Sequence, residues 1–182
     1  MEELGKKIDK LSNQVTDLRM ELWTKHVVFS WKWGLLVMIC LASILVLIVL
    51  IKRESILQTV AYLGVIYVMN KNLDDVGTAL DWYDYRIQLE PIIPTMLPAN
   101  LFIFPISLSL LYQTFMRWKS FIIALVSFSL FSAYIALPIL KYLEIYTTKT
   151  WNSHYSFISL IIMASLSKLI IDRLKAIQDK HR

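Results

Sequence analysis

The 182-residue sequence predicts an all-α membrane protein: a five-transmembrane-helix bundle preceded by an N-terminal amphipathic, heptad-patterned helix. Three observations predict it. Five apolar stretches, near residues 34–51, 56–75, 97–116, 121–140 and 155–171, approach the roughly 17–25 residues that cross a hydrocarbon core. Hydrophobic residues make up 57% of the chain and charged residues 18%, where soluble domains average about 45–50% and about 25%. Aromatic and basic side chains gather at the ends of the apolar stretches, the positions of lipid headgroups.

Residues 1–26 form the first unit. Leu4, Ile8, Leu11, Val15, Leu18 and Leu22 alternate in steps of four and three, and Lys6, Lys7, Asp9, Lys10, Asp17 and Arg19 lie off that seam. The spacing predicts a helix with one narrow apolar edge. It reads either as a helix lying on the membrane surface or as a short coiled coil. The narrow seam and the mixed charge opposite it favour self-association through Ile8, Leu11, Val15, Leu18 and Leu22.

Residues 27–172 form the membrane domain. Trp23, Phe29, Trp31 and Trp33, with Lys25 and Lys32, make an interfacial belt before the first span. Gly34–Ile51 carries no charge and covers about 27 Å at 1.5 Å per residue. Lys52-Arg53-Glu54 ends it, and the absence of a small-residue cleavage pattern predicts that the segment is retained. The second span holds Gln58, Tyr62 and Tyr67 and is expected to continue past Asn70 to near Asp75, facing other helices. Residues 70–94 are the longest polar stretch between spans, with five acids against Lys71 and Arg86.

Pro91 and Pro94 predict an extended lead-in to the third span, and Pro98 its first turn. Pro105 lies inside that span and predicts a kink, with Ser107 or Ser109 positioned to satisfy the carbonyl it frees. Arg117-Trp118-Lys119 forms a basic turn into the fourth span, whose Ser127, Ser129 and Ser132 suit close helix contact. Lys141–Ser153 is a polar and aromatic connection to the last span, from which Lys168 is expected to snorkel outward. Residues 173–182 are a charged tail.

Five spans put the termini on opposite sides. Nine Lys and Arg flank spans on the C-terminal side and seven on the other, so the C-terminus is expected in the cytoplasm, with the N-terminus and the acidic stretch outside. Counting Lys6, Lys7 and Lys10 as well would reverse the vote, ten to nine.

The segment Leu97-Pro98-Ala99-Asn100-Leu101, followed by Phe104-Pro105, Leu111-Tyr112-Gln113 and Trp118-Lys119, resembles a family of small five-span membrane proteins of Gram-positive spore-forming bacteria. Pro138, Glu144-Ile145-Tyr146, Trp151 and Tyr155-Ser156-Phe157 continue the pattern, so the resemblance spans about Asp74–Leu174. That family often carries an acid where Asn100 stands, and the N-terminal heptad helix lies outside its pattern. The resemblance implies a five-span fold in a bacterial plasma membrane and no particular reaction.

Candidate functional residues fall into three groups. Asp81, Trp82, Asp84 and Arg86 combine charge and aromatic rings at a membrane surface, a combination suited to gathering cations or a headgroup, though also to anchoring a solvated loop. Asn100, Tyr112 and Gln113 are polar groups in or beside the third span with Pro105, suited to hydrogen bonds across helices or to a transport path. Trp151 and His154 open the last span; one histidine without partners reads as an interfacial hydrogen bonder. Cys40 is the sole cysteine, no Cys/His spacing suits a metal, and four glycines leave no phosphate-cradling loop. No cofactor, metal or catalytic set is expected. The net charge of +5 is scattered along the chain instead of clustered with aromatics, so the expected partners are the lipid bilayer and a second copy or another membrane protein, not nucleic acid. The expected function is therefore non-enzymatic association in the membrane, envelope- or spore-related. Transport along the kinked third span is the alternative, and chemistry on lipid headgroups at the acidic stretch is a weaker one.

Overall fold

The computed structural model describes residues 1–93 and 95–180, so the Pro94 part of the expected lead-in and the last two tail residues lie outside the described residues. The described residues are mostly helical and form six helices. α1 (Glu2–Leu22) runs on through a π turn, Trp23–Val27. α2 is Trp31–Leu50 and α3 is Ile56–Ala79. α4 opens as a π segment, Pro98–Ile103, and continues as Phe104–Thr114. α5 is Trp118–Tyr142, interrupted by a π turn at Ser132–Ala136, and α6 is Ser153–Lys180.

Local chemistry sets several boundaries. Ser30 caps α2, its hydroxyl accepting from the Trp33 N–H at 3.2 Å. The Asn152 side-chain Oδ1 accepts from the His154 and Tyr155 N–H groups at 2.9 and 3.1 Å and fixes the start of α6. Each interior proline follows a π turn: Pro98–Ile103 before Pro105, and Ser132–Ala136 before Pro138. Proline removes the N–H that carbonyl i−4 would use, and a widened turn is one way a helix absorbs that loss. The expected serine rescue at Pro105 is not what occurs: the Ser109 hydroxyl donates to the Ile106 carbonyl at 2.9 Å instead.

Two helices, α2 and Trp118–Tyr142, are long and apolar enough to cross a membrane. Only 11% and 22% of their apolar windows are buried inside the protein. A core helix of a soluble protein buries most of such a window; here Leu41, Leu45, Ile48, Val49, Ile123 and Ile135 stay exposed.

The remaining helices pack through polar-studded stripes. α3 buries Thr59, Tyr62, Ile66, Asn70, Asp74 and Gly77, spaced three and four apart, against α4 and α6. Tyr62, Ile66, Leu108, Tyr112, Phe121, Leu125, Leu160 and Ala164 make the main core. α2 rests on α4.

The connections hold a surprise for an all-α expectation. Tyr83–Tyr85 (β1) pairs antiparallel with Tyr146–Thr148 (β2), Tyr83 opposite Thr148 and Tyr85 opposite Tyr146. This ribbon ties the segment after α3 to the segment after α5. The Trp23 and Trp33 indoles also reach this end, donating to the Gln88 and Leu89 carbonyls at 3.2 and 3.1 Å.

Lys168 departs from expectation. Its side chain is only 1% exposed instead of snorkelling outward. The reason is a ready-made set of partners inside: the Met116 carbonyl at 2.9 Å, the Asp172 carboxylate at 3.1 Å, and the rings of Tyr112, Trp118 and Phe121 at 4.8, 5.2 and 5.2 Å.

Candidate functional site

A cavity of about 310 Å³ lies where α2, α3, α4, α5 and α6 meet the ribbon. Its walls are largely apolar: Leu36 and Ile39 from α2, Phe104 from α4, Phe128 and Leu137 from α5, Leu160 and Met163 from α6. Its polar end is built around Asp74. That carboxylate is 5% exposed and lies on the buried stripe of α3, one turn beyond Asn70.

Three donors hold it. The Tyr85 hydroxyl donates to Oδ1 at 2.7 Å, the Met96 backbone N–H donates to Oδ2 at 3.2 Å, and the Asn100 amide also donates to Oδ2. Asn100 is oriented in turn by Asn70, whose amide donates to the Asn100 carbonyl oxygen at 2.7 Å. Tyr83, Tyr85 and Tyr146 pack ring against ring, with centroids 5.5–5.8 Å apart, and all three line the cavity. Burial first, and the nearby Asp74 charge second, push all three phenols above their ordinary range, so they stay protonated and able to donate. The ribbon positions these rings.

The expected site residues divide among three places. Asn100 and Trp151 come to this cavity; the Trp151 indole donates to the Ser156 hydroxyl at 2.8 Å and its ring stacks on Trp82 at 5.2 Å. Trp82 itself ties the two connections together, its carbonyl accepting from the N–H groups of Lys149, Thr150 and Trp151. Asp81, Asp84 and Arg86 lie outside the cavity. Asp81 adopts a left-handed backbone (φ 58°) and pairs with Lys149, while Asp84 accepts from the Tyr85 N–H at 2.8 Å and sits 3.5 Å from Arg86. They close the loop; they do not converge on a common point in the cavity.

Tyr112 and Gln113 belong to the other end of α3, about 22 Å away at 1.5 Å per residue from Thr59 to Asp74. Tyr112 stacks on Tyr62 at 4.5 Å and its hydroxyl donates to Asp172 at 3.1 Å. The Gln113 amide donates to the Leu50 carbonyl at 2.7 Å and its oxygen accepts from the Lys52 N–H at 3.1 Å, clamping the end of α2. Pro105 is buried between the two ends, and His154 is exposed, its Nδ1 2.6 Å from the Tyr134 hydroxyl.

Asn70, Tyr146, Lys168 and Asp172 lie outside the candidate residues, and Asp74, Tyr83 and Tyr85 belong to the acidic stretch without being singled out within it. Asn70 and Asp74 had a signal: with Tyr62 and Ile66 they continue a four-residue spacing that marks one face of a helix. Among the described residues, no three His, Cys, Asp or Glu side chains converge to hold a metal ion. No family model, curated protein or solved structure matches the chain.

Proposed function

We propose that the chain is a five-span integral protein of a bacterial plasma membrane and acts by association, with α1 pairing in parallel with α1 of a second copy. One observation carries the pairing. α1 buries none of its residues, and its seam side chains Leu4, Ile8, Leu11, Val15, Leu18 and Leu22 are 42–67% exposed. Ile8, Val15 and Leu22 fall at the a positions of a heptad and Leu4, Leu11 and Leu18 at the d positions. β-Branched residues at a with leucine at d favour two parallel strands, and a parallel pair is the arrangement open to two copies inserted the same way round. The lateral g-to-e pairs, Lys7 with Ser12, Gln14 with Arg19 and Glu21 with His26, bring no like charges together.

Five spans are supported by the uncovered apolar surface of α2 and α5, and by the exposed Leu57, Val60, Ile158, Ile162 and Leu166 on the outward sides of α3 and α6. The resemblance to small five-span proteins of Gram-positive spore formers belongs to the same reading and supports an envelope- or spore-related role. The test is the mass of the full chain in detergent, corrected for bound detergent. The Leu11→Asp, Leu18→Asp double variant halves it; an unchanged oligomer mass sinks the proposal.

Transport is the second reading. The π segment of α4 borders the cavity, and unwound helices frame sites in many transporters. It predicts solute flux in proteoliposomes that cavity substitutions alter, and tight vesicles count against it.

A further inference from the structure

We infer that the cavity between α2 and α5 binds an amphiphile with an ammonium head, the head against Asp74 and the chain along the apolar wall. The charge of the site selects the head. Among the described residues no Lys, Arg or His lines the cavity, so the Asp74 carboxylate has hydrogen-bond donors there but no counter-charge. Its neighbours, the Tyr85 and Tyr83 hydroxyls, the Met96 N–H and the Asn100 amide, are all neutral, and an ammonium head supplies the counter-charge that they lack. Tyr83, Tyr85, Tyr146 and Trp151 line the same cavity, and aromatic rings attract a desolvated cation. An anionic head would meet the carboxylate with like charge.

The walls select the chain. Leu36, Ile39, Phe104, Phe128, Leu137 and Leu160 offer an alkyl chain continuous apolar surface. At about 310 Å³ the space sits at the lower end of ordinary ligand pockets, which run roughly 300–1,000 Å³. α2 rests on α4 without extensive packing on α5, so the flank between α2 and α5 is the natural entrance. That entrance faces lipid under the membrane reading, on which this inference rests; it is independent of α1 pairing, so a monomeric protein would bind equally well.

The experiment titrates the full chain, in neutral maltoside micelles, with bromoundecylamine and reads quenching of the indole on the cavity wall, with bromoundecanol as the uncharged control. The expected result is saturable quenching by the amine at a concentration at least about tenfold below the alcohol, a preference of about 1.4 kcal/mol. Equal half-saturation for amine and alcohol on the unaltered protein overturns the inference without any variant. Trp151→Phe removes the saturable component. Asp74→Asn weakens amine binding at least about tenfold, while the neighbouring Asp75→Asn does not, because Asp75 pairs with Lys71 outside the cavity. Should Asp74→Asn fail to fold, Ser132→Phe decides: it fills the apolar part and leaves the Asp74 donors in place, so retained quenching overturns the inference. Added phosphatidylethanolamine then separates two sources of the same head. Displacement of the bromoamine assigns the site to a lipid headgroup, and persistence assigns it to single-chain amines.

Discussion

The Asn70 side chain donates to that of Asn100 at 2.7 Å, joining α3 to the π segment of α4 across thirty residues of sequence. Asn100 passes the constraint on by donating to Asp74. The two asparagines are therefore unequal. Asn100 is spent on both neighbours, while Asn70 only orients it. Asn100→Leu strips a donor from a buried carboxylate and lowers stability by about 1–3 kcal/mol. Asn70→Leu leaves the Asp74 contacts in place and costs about 1 kcal/mol. Unfolding midpoints of the detergent-solubilised variants test the order; equal losses would show that Asp74 does not depend on Asn100.

Lys168 poses the opposite problem, a buried cation with a full set of partners. Lys168→Met keeps the packing volume but leaves the Met116 carbonyl unpaired and Asp172 without its cation. Asp172 is partly exposed, so water takes up some of that loss, and the expected destabilisation is about 1–3 kcal/mol. Asp172→Asn is milder, because Lys168 retains the carbonyl and three rings. Chemical or thermal unfolding of the two variants side by side measures the difference.

Glycines in α3 separate helix propensity from close packing. A Cβ at Gly64 meets nothing within 4 Å, so Gly64→Ala gains about 0.5–1 kcal/mol from propensity alone. A Cβ at Gly77 falls on the ring and hydroxyl of Tyr83. Gly77→Ala displaces Tyr83 from the ribbon and destabilises the protein despite the same propensity gain. Limited proteolysis gives a local readout: faster cutting within residues 80–97 in Gly77→Ala and no change in Gly64→Ala.

The legible parts of this molecule were those written in one continuous pattern. α2 and α5 are long, mostly apolar runs, and the α1 seam is a simple alternation, so the sequence announces all three. The cavity is harder because its parts are scattered. Asp74 falls where the expected second span gives way to the acidic stretch, and α3 continuing to Ala79 holds it on the same buried face as Asn70. The ribbon is invisible in sequence because each strand is three residues long and the two are separated by sixty residues. No turn signal links them. Lys168 is hard to place for a related reason: its position near the end of an apolar stretch suggests headgroups, and only the packing of α4 and α5 brings the Met116 carbonyl and the rings to it.

The Gln113 clamp makes the end of α2 a separate test of interhelical bonding. Both groups it satisfies, the Leu50 carbonyl and the Lys52 N–H, are backbone groups beyond the reach of the α2 ladder. Gln113→Leu leaves both unpaired and costs about 1–3 kcal/mol, whereas Gln113→Glu keeps one acceptor and loses the donor. Intermediate stability for the glutamate variant supports the clamp, and indistinguishable variants would mean that water serves these groups as well.

Span parity decides the architecture itself. An odd number of crossings puts Lys6 and Lys180 on opposite faces, whatever the orientation. Cys40 is buried and is the sole cysteine, so a Cys40→Ala background carrying Lys6→Cys or Lys180→Cys reports one position at a time. With a membrane-impermeant maleimide on intact cells, the residue-6 thiol labels directly and the residue-180 thiol only after permeabilisation. The reverse pattern keeps five spans and inverts the orientation that the close count of basic residues favours. Both thiols labelling from one side would require an even number of crossings. One of the polar-studded helices, α3, α4 or α6, would then have to lie outside the bilayer.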